Sequence, residues 1–360
     1  MDDIGKNIDP IKISAHEEMD CKRVFTRKNI PAPDVEEAWR NFSSDNKLNP
    51  GVSNHRSKNI LFLGFIAGVA ASVVILMGIY QLFIVPAESG SMQVFTSESG
   101  EDGVSLTDAS GHSLNLSNDS DDNKALLSQG VKANKDSLVY ASSVVDARPN
   151  MMTISTSRGK EYYVVLPDGT KVWLNADSKL VFPDHFVGDK RIVHLEGEAY
   201  FEVQQDKERP FIITSKHFST QVLGTKFDMK VYDAANANVV LLEGKVALES
   251  GDGKAIQTIV PGQKAVFTEE GTFAVQEVDT YAYVQWKNGY FYFNNVPLVE
   301  IMKELGRWYN VDIIIENSRK MQTRFHFVAE RNQDLAAALN NLNAIGDVYA
   351  TMVDGKIIVK

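Results

Sequence analysis

A Gly-Thr pair in the stretch QVLGTKFDMKVY, residues 221–232, is the place where this chain could do chemistry on itself. Gly224 has no side chain to shield its carbonyl, and Thr225 supplies a hydroxyl directly after it. In a strained turn, such a hydroxyl can attack the preceding carbonyl and form an ester, which water then cleaves. Gly224 and Thr225 are therefore candidates for a single self-cleavage. The alternative is a glycine at an ordinary β-bulge.

Three carboxylates, Glu196, Glu198 and Glu202, alternate along the segment LEGEAYFEV at 195–203. Two carboxylates held about 5–10 Å apart can hydrolyse glycosides. A half-buried strand produces the same alternation without any catalysis, because successive side chains point to opposite faces. We therefore predict that these glutamates form the solvent face of a strand.

Other kinds of chemistry leave no pattern in the sequence. The seven histidines are scattered, and no HExxH, nucleophile-elbow or Walker motif occurs. The single cysteine, Cys21, excludes a disulfide framework and a cysteine metal cluster. A net charge of −10 argues against direct nucleic-acid binding, which needs a basic surface. The sequence thus predicts no enzyme acting on other molecules, no cofactor and no metal site.

The elements around these residues begin with a long apolar segment. Residues Ile60 to Val85 contain no charged side chain, and about 20 apolar residues suffice for a helix to cross a bilayer. His55, Arg56 and Lys58 precede this segment, and no Lys or Arg follows it before Lys124. This asymmetry predicts a transmembrane helix with the N-terminus in the cytoplasm and the C-terminus across the membrane.

The N-terminal part contains one clear amphipathic pattern, DVEEAWRNF at 34–42. Val35, Ala38, Trp39 and Phe42 follow the spacing of one helix face. A helix this short is marginal in water, so its apolar stripe needs a membrane surface, a neighbouring helix or a partner to cover it.

The pattern after the apolar segment predicts a β-rich region, followed by a region that combines helices and strands. A Leu-Glu-Gly repeat at 195 and 242 suggests layers of short strands, with the glycines at bends. The pattern changes after residue 288 to the order β-α-β-β-α-β-β, which is typical of a compact α+β domain. The predicted fold class is a single-pass membrane protein. It begins with a short helical N-terminal segment (1–58), one transmembrane helix (60–85) and a linker (86–103). An all-β scaffold of β-roll, β-solenoid or jelly-roll type (104–285) and a C-terminal α+β domain (289–360) follow.

Four segments in this order after one membrane helix, LPDGTKVWLNADSKLVFP, LEGEAYFEV, RPFIITS and VLGTKFDMKVY, resemble the FecR family of anti-sigma factors. The most specific part of the resemblance joins Asp168, Gly169 and Thr170 to Glu196, Gly197 and Glu198. The C-terminal domain resembles that of the long Bacteroidetes-type members, which is similar to the short N-terminal domain of secretins and TonB-dependent receptors.

The resemblance implies a relay located in the cytoplasmic (inner) membrane, with its C-terminal part in the periplasm. The cytoplasmic part would bind an extracytoplasmic-function sigma factor, and we assign that contact to Val35, Trp39 and Phe42. The periplasmic part would sense the N-terminal extension of an outer-membrane TonB-dependent transporter. Some family members also cleave themselves at the Gly-Thr bond that Gly224 and Thr225 match.

Two other classes of function stay open at the level of sequence. One is a membrane-anchored glycan-binding protein, which a wide pocket lined by Trp173 and the Glu196 face would favour. The other is a structural subunit of an envelope complex, which the similarity of the C-terminal domain to a secretin domain suggests.

Overall fold

The computed structural model describes residues 91–99, 102–117, 131–134, 136–140, 148–254, 256–346 and 348–360. Within these ranges the chain forms 23 strands and two α-helices. An all-β scaffold comes first and a small α+β domain follows, and both belong to one compact unit, Pro86–Lys360.

The first strand and the scaffold strands are, in chain order, β1 (Met92–Phe95), β2 (Val104–Thr107), β3 (Ser113–Asn115), β4 (Val131–Asn134), β5 (Ser137–Tyr140), β6 (Met151–Thr156), β7 (Tyr162–Val165), β8 (Lys171–Leu174), β9 (Ser178–Pro183), β10 (Arg191–Glu202), β11 (Phe211–Thr214), β12 (Phe218–Val222), β13 (Lys226–Val231), β14 (Asn238–Glu243), β15 (Val246–Ser250), β16 (Ile256–Ile259), β17 (Gln263–Phe267) and β18 (Phe273–Glu277).

The scaffold strands form two rows that share β10 and together enclose one core. Among the described strands, sheet I has the order β3-β2-β6-β9-β10-β11-β12-β15-β16. Sheet II has the order β4-β5-β7-β8-β10-β13-β14-β17-β18. The chain therefore returns repeatedly from one sheet to the other.

A glycine with positive φ marks two of these changes of sheet. Residues 191–196 of β10 pair within sheet I, and residues 197–202 pair within sheet II. The change occurs at Gly197, whose φ is 97°, and a Cβ there would lie 2.6 Å from Cα of Ser178. Gly244, with φ 95°, follows the end of β14 in sheet II and precedes β15 in sheet I. The Leu-Glu-Gly repeat is thus the local signal for moving between sheets.

The core lies between the two sheets because apolar side chains alternate inward along the strands. Leu180, Leu195, Phe201 and Phe227 are completely buried there. The rings of Phe201 and Phe227 stack with their centroids 5.2 Å apart.

The C-terminal domain contains β19 (Tyr290–Pro297), α1 (Leu298–Tyr309), β20 (Asp312–Ile315), β21 (Arg324–Glu330), α2 (Leu335–Asn343), β22 (Ala350–Val353) and β23 (Lys356–Val359). Two short 3-10 helices, Thr280–Val284 and Trp286–Asn288, connect it to the scaffold. The apolar face of α1 packs in the domain core through Leu298, Ile301, Met302 and Leu305. The strands form the pair β19-β21 and a sheet of order β1-β20-β23-β22, which we call the C-terminal sheet.

The structure corrects the predicted linker at 86–103. Four of its residues form β1, which pairs antiparallel with β20 of the C-terminal sheet. The Ser- and Gly-rich composition concealed this strand, since its partner lies far away in the sequence.

The predicted fold class also needs correction. In the part of the chain that the structure describes, the fold is mostly β, and neither α-helix is long and apolar enough to cross a membrane. The longer one, α1, has 12 residues, whereas a span takes about 20. The structure therefore does not support a single-pass protein of the inner membrane. The segments assigned to a helical N-terminus (1–58) and to a transmembrane helix (60–85) lie outside the described residues.

Candidate functional site

The second domain covers the outer face of β10 in sheet II. Glu198 is 7% exposed and Tyr200 is 3% exposed, so the prediction of a solvent face is wrong for this part of the strand. The ammonium group of Lys287, from the connection between the domains, lies 4.7 Å from the ring centroid of Tyr200. Glu196 does remain exposed, with its carboxylate 3.7 Å from Nζ of Lys179.

An ion-pair network joins the scaffold to helix α1 at this face. Lys230 of β13 donates through Nζ to Oε1 of Glu304 on α1. Nη1 of Arg307, one helical turn further on, lies 3.0 Å from the same oxygen. The guanidinium of Arg307 also stacks 3.6 Å from the ring centroid of Tyr232 in the scaffold. Because these side chains are mostly buried, the network fixes the two domains against each other.

The carboxylates of this network differ in their proton affinity. Burial acts to raise the pKa of Glu304, but the charges of Lys230 and Arg307 outweigh it and hold that pKa below its ordinary value. Burial and the charge of Glu198 raise the pKa of Asp228 well above its ordinary value. Asp228 accepts a hydrogen bond of 3.1 Å from Nε1 of Trp286. The interface thus keeps Glu304 ionised and favours a proton on Asp228.

Arg331, directly after β21, makes a second connection between the domains. Its Nη1 donates a 2.8 Å hydrogen bond to Oδ1 of Asn175 in the scaffold, and Asn175 in turn donates to Glu198 at 2.7 Å. The guanidinium lies 4.5 Å from the ring centroid of Trp308. A planar guanidinium can donate at its edge and stack on an aromatic face at the same time.

A cavity of about 470 Å³ opens beside this network, between β19 and the outer face of sheet II. Its lining carries both signs of charge and several aromatic rings, including Lys264, Tyr283, Tyr292, Glu300, Glu304 and Arg324. Burial and the nearby charge of Lys230 lower the pKa of Lys264 to about 8. Glu198, from the Glu196 face, lines this cavity but Trp173 does not, so the cavity has only part of the feature that would favour a glycan site. Among the described residues, no group of three His, Cys, Asp or Glu side chains could hold a metal ion.

The Asp168-Gly169-Thr170 motif builds a turn around a buried arginine. Asp168 accepts from the backbone N–H and the hydroxyl of Thr170, at 3.0 and 2.8 Å. Its Oδ2 also pairs at 2.7 Å with Nη1 of Arg191, a residue that is 1% exposed. Gly169 takes the positive φ of 86° that the turn requires. The motif therefore positions a structural ion pair at one end of the core.

The Gly224-Thr225 pair lies at the same end of the scaffold. The carbonyl of Thr225 accepts from the N–H of Val203, and the next N–H, of Gln204, donates to Oγ1 of Thr170. A Cβ on Gly224 would lie 2.8 Å from Cα of Gln205, so this position has room only for glycine. The register of β13 against β14 shifts immediately afterwards, between Lys226 and Phe227.

The hydroxyl of Thr225 has a defined partner in this structure. It donates a 3.1 Å hydrogen bond to the carbonyl oxygen of Lys245. The two titratable residues nearest in sequence are placed elsewhere: Asp228 accepts from Trp286, and the ring of His217 packs beside that of Phe267. Neither is hydrogen-bonded to the hydroxyl, so the geometry supplies the bulge and the nucleophile and does not place either of these two residues as a general base.

The sequence analysis missed the residues of the interface network. Glu304 and Arg307 are spaced three apart on the polar side of α1, which by pattern alone indicates a solvated face. Asp228 and Lys230 alternate with buried residues on β13 in the same way. The predicted sigma-factor contacts Val35, Trp39 and Phe42 lie outside the described residues.

Comparison with known proteins gives matches for both domains. Residues 152–247 match the family model described as FecR protein, and residues 290–359 match the one described as FecR, C-terminal. Two crystal structures of a proposed anti-sigma factor from Parabacteroides distasonis ATCC 8503, at 1.65 and 2.50 Å resolution, are 28% and 27% identical to this chain. Each has a TM-score of 0.53 and covers 58% of this chain and 98% of its own. A search of curated proteins found no match.

Proposed function

Since the chain belongs to the FecR family of anti-sigma factors, we propose that it binds a sigma factor of the extracytoplasmic-function class. We further propose that its signal comes from the N-terminal extension of an outer-membrane TonB-dependent transporter. The observation that carries the proposal is the presence of both family domains in order, in a fold shared over nearly the full length of the solved relatives. The interface network supports a role in which the two domains receive a protein signal as one compact unit.

The sigma-factor contact is assigned to the stripe of Val35, Trp39 and Phe42. Replacing both aromatic residues, as Trp39→Ala with Phe42→Ala, should release the sigma factor, because buried aromatic anchors contribute about 2 kcal/mol or more each to binding. The measurement is co-purification of the sigma factor with the full chain. Arg40→Ala, which lies off the stripe, serves as the control and should retain the partner. Unchanged co-purification after the double substitution would remove this segment from the proposal.

The transporter signal is assigned to the C-terminal domain, through addition of a strand to its sheet. A chain ending at residue 288 should therefore lose binding of the isolated transporter extension, which the full chain binds. Isothermal titration would measure both affinities, and circular dichroism would check that the shortened chain keeps its β-structure. Equal affinities for the two chains would move the receiving surface to the scaffold.

We also propose that the chain acts on no other molecule and cleaves itself once, at Gly224-Thr225. Oγ1 of Thr225 would bond to the carbonyl carbon of Gly224 while the peptide C–N bond breaks and the hydroxyl proton passes to the leaving nitrogen, which leaves an ester and a free amine on Thr225. Water then hydrolyses the ester and frees the Gly224 carboxylate. The fragments would stay associated, because β10 pairs with β13 across the cut and the core is shared.

Cell-free synthesis followed by mass spectrometry tests this cleavage without cellular proteases. Wild type should give fragments that end at Gly224 and begin at Thr225, and Thr225→Ala should stay intact. Thr258→Ala, on β16, is the control and should cleave like wild type. An intact wild-type chain would leave Gly224 with its role in the bulge alone.

A further inference from the structure

The segment from Met92 to Glu98 occupies a formed groove on the C-terminal domain. Its strand β1 pairs with β20, and Val94 and Phe95 pack against the domain core. The ring of Phe95 lies where α1 has Gly306, and a Cβ at that glycine would come within 2.5 Å of Cδ1 of Phe95. The groove thus has a built place for one aromatic ring.

Two charged residues hold the segment after this ring. The guanidinium of Arg158, in a turn of the scaffold, lies 4.6 Å from the ring centroid of Phe95 and donates a 2.6 Å hydrogen bond to the carbonyl of Thr96. Asp312 of β20 accepts from both the backbone N–H and the hydroxyl of Ser97, at 2.7 and 2.8 Å. Main-chain contacts of this kind can be made by any extended segment of suitable shape.

We propose that this groove, formed by the edge of β20 and by Gly306, is a strand-exchange site. In the closed state β1 fills it, and in the signalling state an extended segment of the transporter's N-terminal extension, with an aromatic residue in the place of Phe95, replaces β1. This inference rests on the proposed function, since it says where the transporter signal enters and what that entry displaces.

The pairing of β1 with the edge of β20 is short and irregular. β1 has only four residues, and its register against β20 is interrupted between Gln93 and Phe95. Met92 and Gln93 are exposed. The binding of β1 to the domain therefore depends chiefly on the Phe95 ring and on the contacts of the residues that follow it. A partner strand in continuous register could make more ladder hydrogen bonds with β20 than β1 does.

The opposite edge of the C-terminal sheet lacks these features. Within the described residues β22 pairs with β23 alone, and Met352 and Val353 are about half exposed. The β20 edge, by contrast, has the place for an aromatic ring at Gly306 and the main-chain contacts made by Arg158 and Asp312. We therefore assign the exchange to the β20 edge, and a partner strand on β22 becomes an outcome of the test.

A fluorescent peptide with the sequence of residues 91–99, SMQVFTSES, probes the site in the full chain. In wild type the chain's own strand competes at an effective concentration of the order of millimolar, so binding should be weak. Phe95→Ala loosens that strand, and the peptide should then bind at least about tenfold more tightly. Gln93→Pro, which disturbs the backbone of β1 without touching the ring, should likewise tighten peptide binding. Failure of both variants to bind the peptide more tightly than wild type would overturn the proposal.

A disulfide across the paired positions 93 and 314 tests whether β1 must leave. Gln93→Cys with Ile314→Cys, in a Cys21→Ser background, should abolish peptide binding when oxidised and restore it on reduction. The matched control joins Thr351→Cys to Ile358→Cys, paired positions on β22 and β23, and should leave binding unchanged. If the oxidised disulfide between positions 93 and 314 left peptide binding intact, the peptide would be bound elsewhere, and the β20 edge would be excluded as its binding site.

Sigma-factor co-purification, measured on the same variants, separates this inference from the proposed function. Peptide exchange without any sigma-factor partner would overturn the anti-sigma role and leave the strand site in place. Sigma-factor binding without peptide exchange would overturn the strand-exchange site and leave the anti-sigma role in place.

Discussion

Replacing Arg191 with Met is expected to lower the free energy of unfolding by about 3–5 kcal/mol, the range found when one partner of a buried ion pair is removed. Arg191 is 1% exposed, and Asp168 would be left as a buried carboxylate facing an apolar side chain. The backbone carbonyls of Gln204 and Arg209 would also lose their donors from the Arg191 guanidinium. The effect should therefore exceed that of a surface charge change by several-fold.

Urea unfolding followed by circular dichroism measures this loss. Arg209→Met is the matched control, because Arg209 also pairs with an aspartate, Asp206, but its side chain is 45% exposed. An exposed pair contributes about 0–1 kcal/mol. Combining Arg191→Met with Asp168→Asn should cost less than the first change alone, since no unpaired charge remains buried and Asn keeps an acceptor for Thr170. Equal losses for the Arg191 and Arg209 variants would contradict a structural role for the Asp-Gly-Thr turn.

Replacing Glu304 with Gln is the second large change, and we expect it to loosen the C-terminal domain from the scaffold. Gln keeps the shape of the side chain but leaves Lys230 and Arg307 as buried cations without their directly paired carboxylate. Breaking a buried pair in this way costs about 3–5 kcal/mol. Limited proteolysis of the connection at 278–289 should become faster. Glu316→Gln, which removes an exposed partner of Lys360, is the control and should leave the rate unchanged.

The variant Glu304→Gln should also change how the stability of the fold depends on pH. The folded-state pKa of Glu304 lies below its unfolded value, so the stability it contributes is present above about pH 4.5 and is lost as the pH falls below that value. Wild type should therefore lose stability in acid through this group, and Glu304→Gln should not show this part of the loss. Asp228, whose pKa is raised, has the opposite sign, and Asp228→Asn should remove a loss of stability that grows as the pH rises. An identical acid slope for wild type and Glu304→Gln would contradict the network as described.

Local signals in the sequence predicted particular elements of this fold. The Leu-Glu-Gly repeat indicated bends between β-layers, and the structure places Gly197 and Gly244 where the chain changes sheets. The order β-α-β-β-α-β-β predicted for the residues after 288 is the order of the elements from β19 to β23. Such predictions work because propensity and alternation depend on neighbouring residues.

Long-range features could not be predicted in this way. Alternation on β10 identifies an inner and an outer face, but nothing in it says that a second domain covers Glu198 and Tyr200. Residues 92–95 carry no pattern that distinguishes a strand from a linker, because their partner β20 is distant in sequence. The same applies to Lys230, whose partner Glu304 belongs to another domain. In each case the deciding interaction is tertiary, and it overrides the local pattern.

The pairing of β1 with β20 has a consequence for synthesis of the chain. Ser97 and its partner Asp312 are 215 residues apart, and the whole scaffold lies between them. At about 5–20 residues per second, β1 therefore leaves the ribosome roughly 10–40 s before its partner strand exists. Its residues, MQVF, carry no charge, so for this interval the nascent chain presents an unprotected strand that could pair with another chain. The first strand of the described residues is therefore among the last to pair, and we expect a chaperone that holds extended apolar segments to act there.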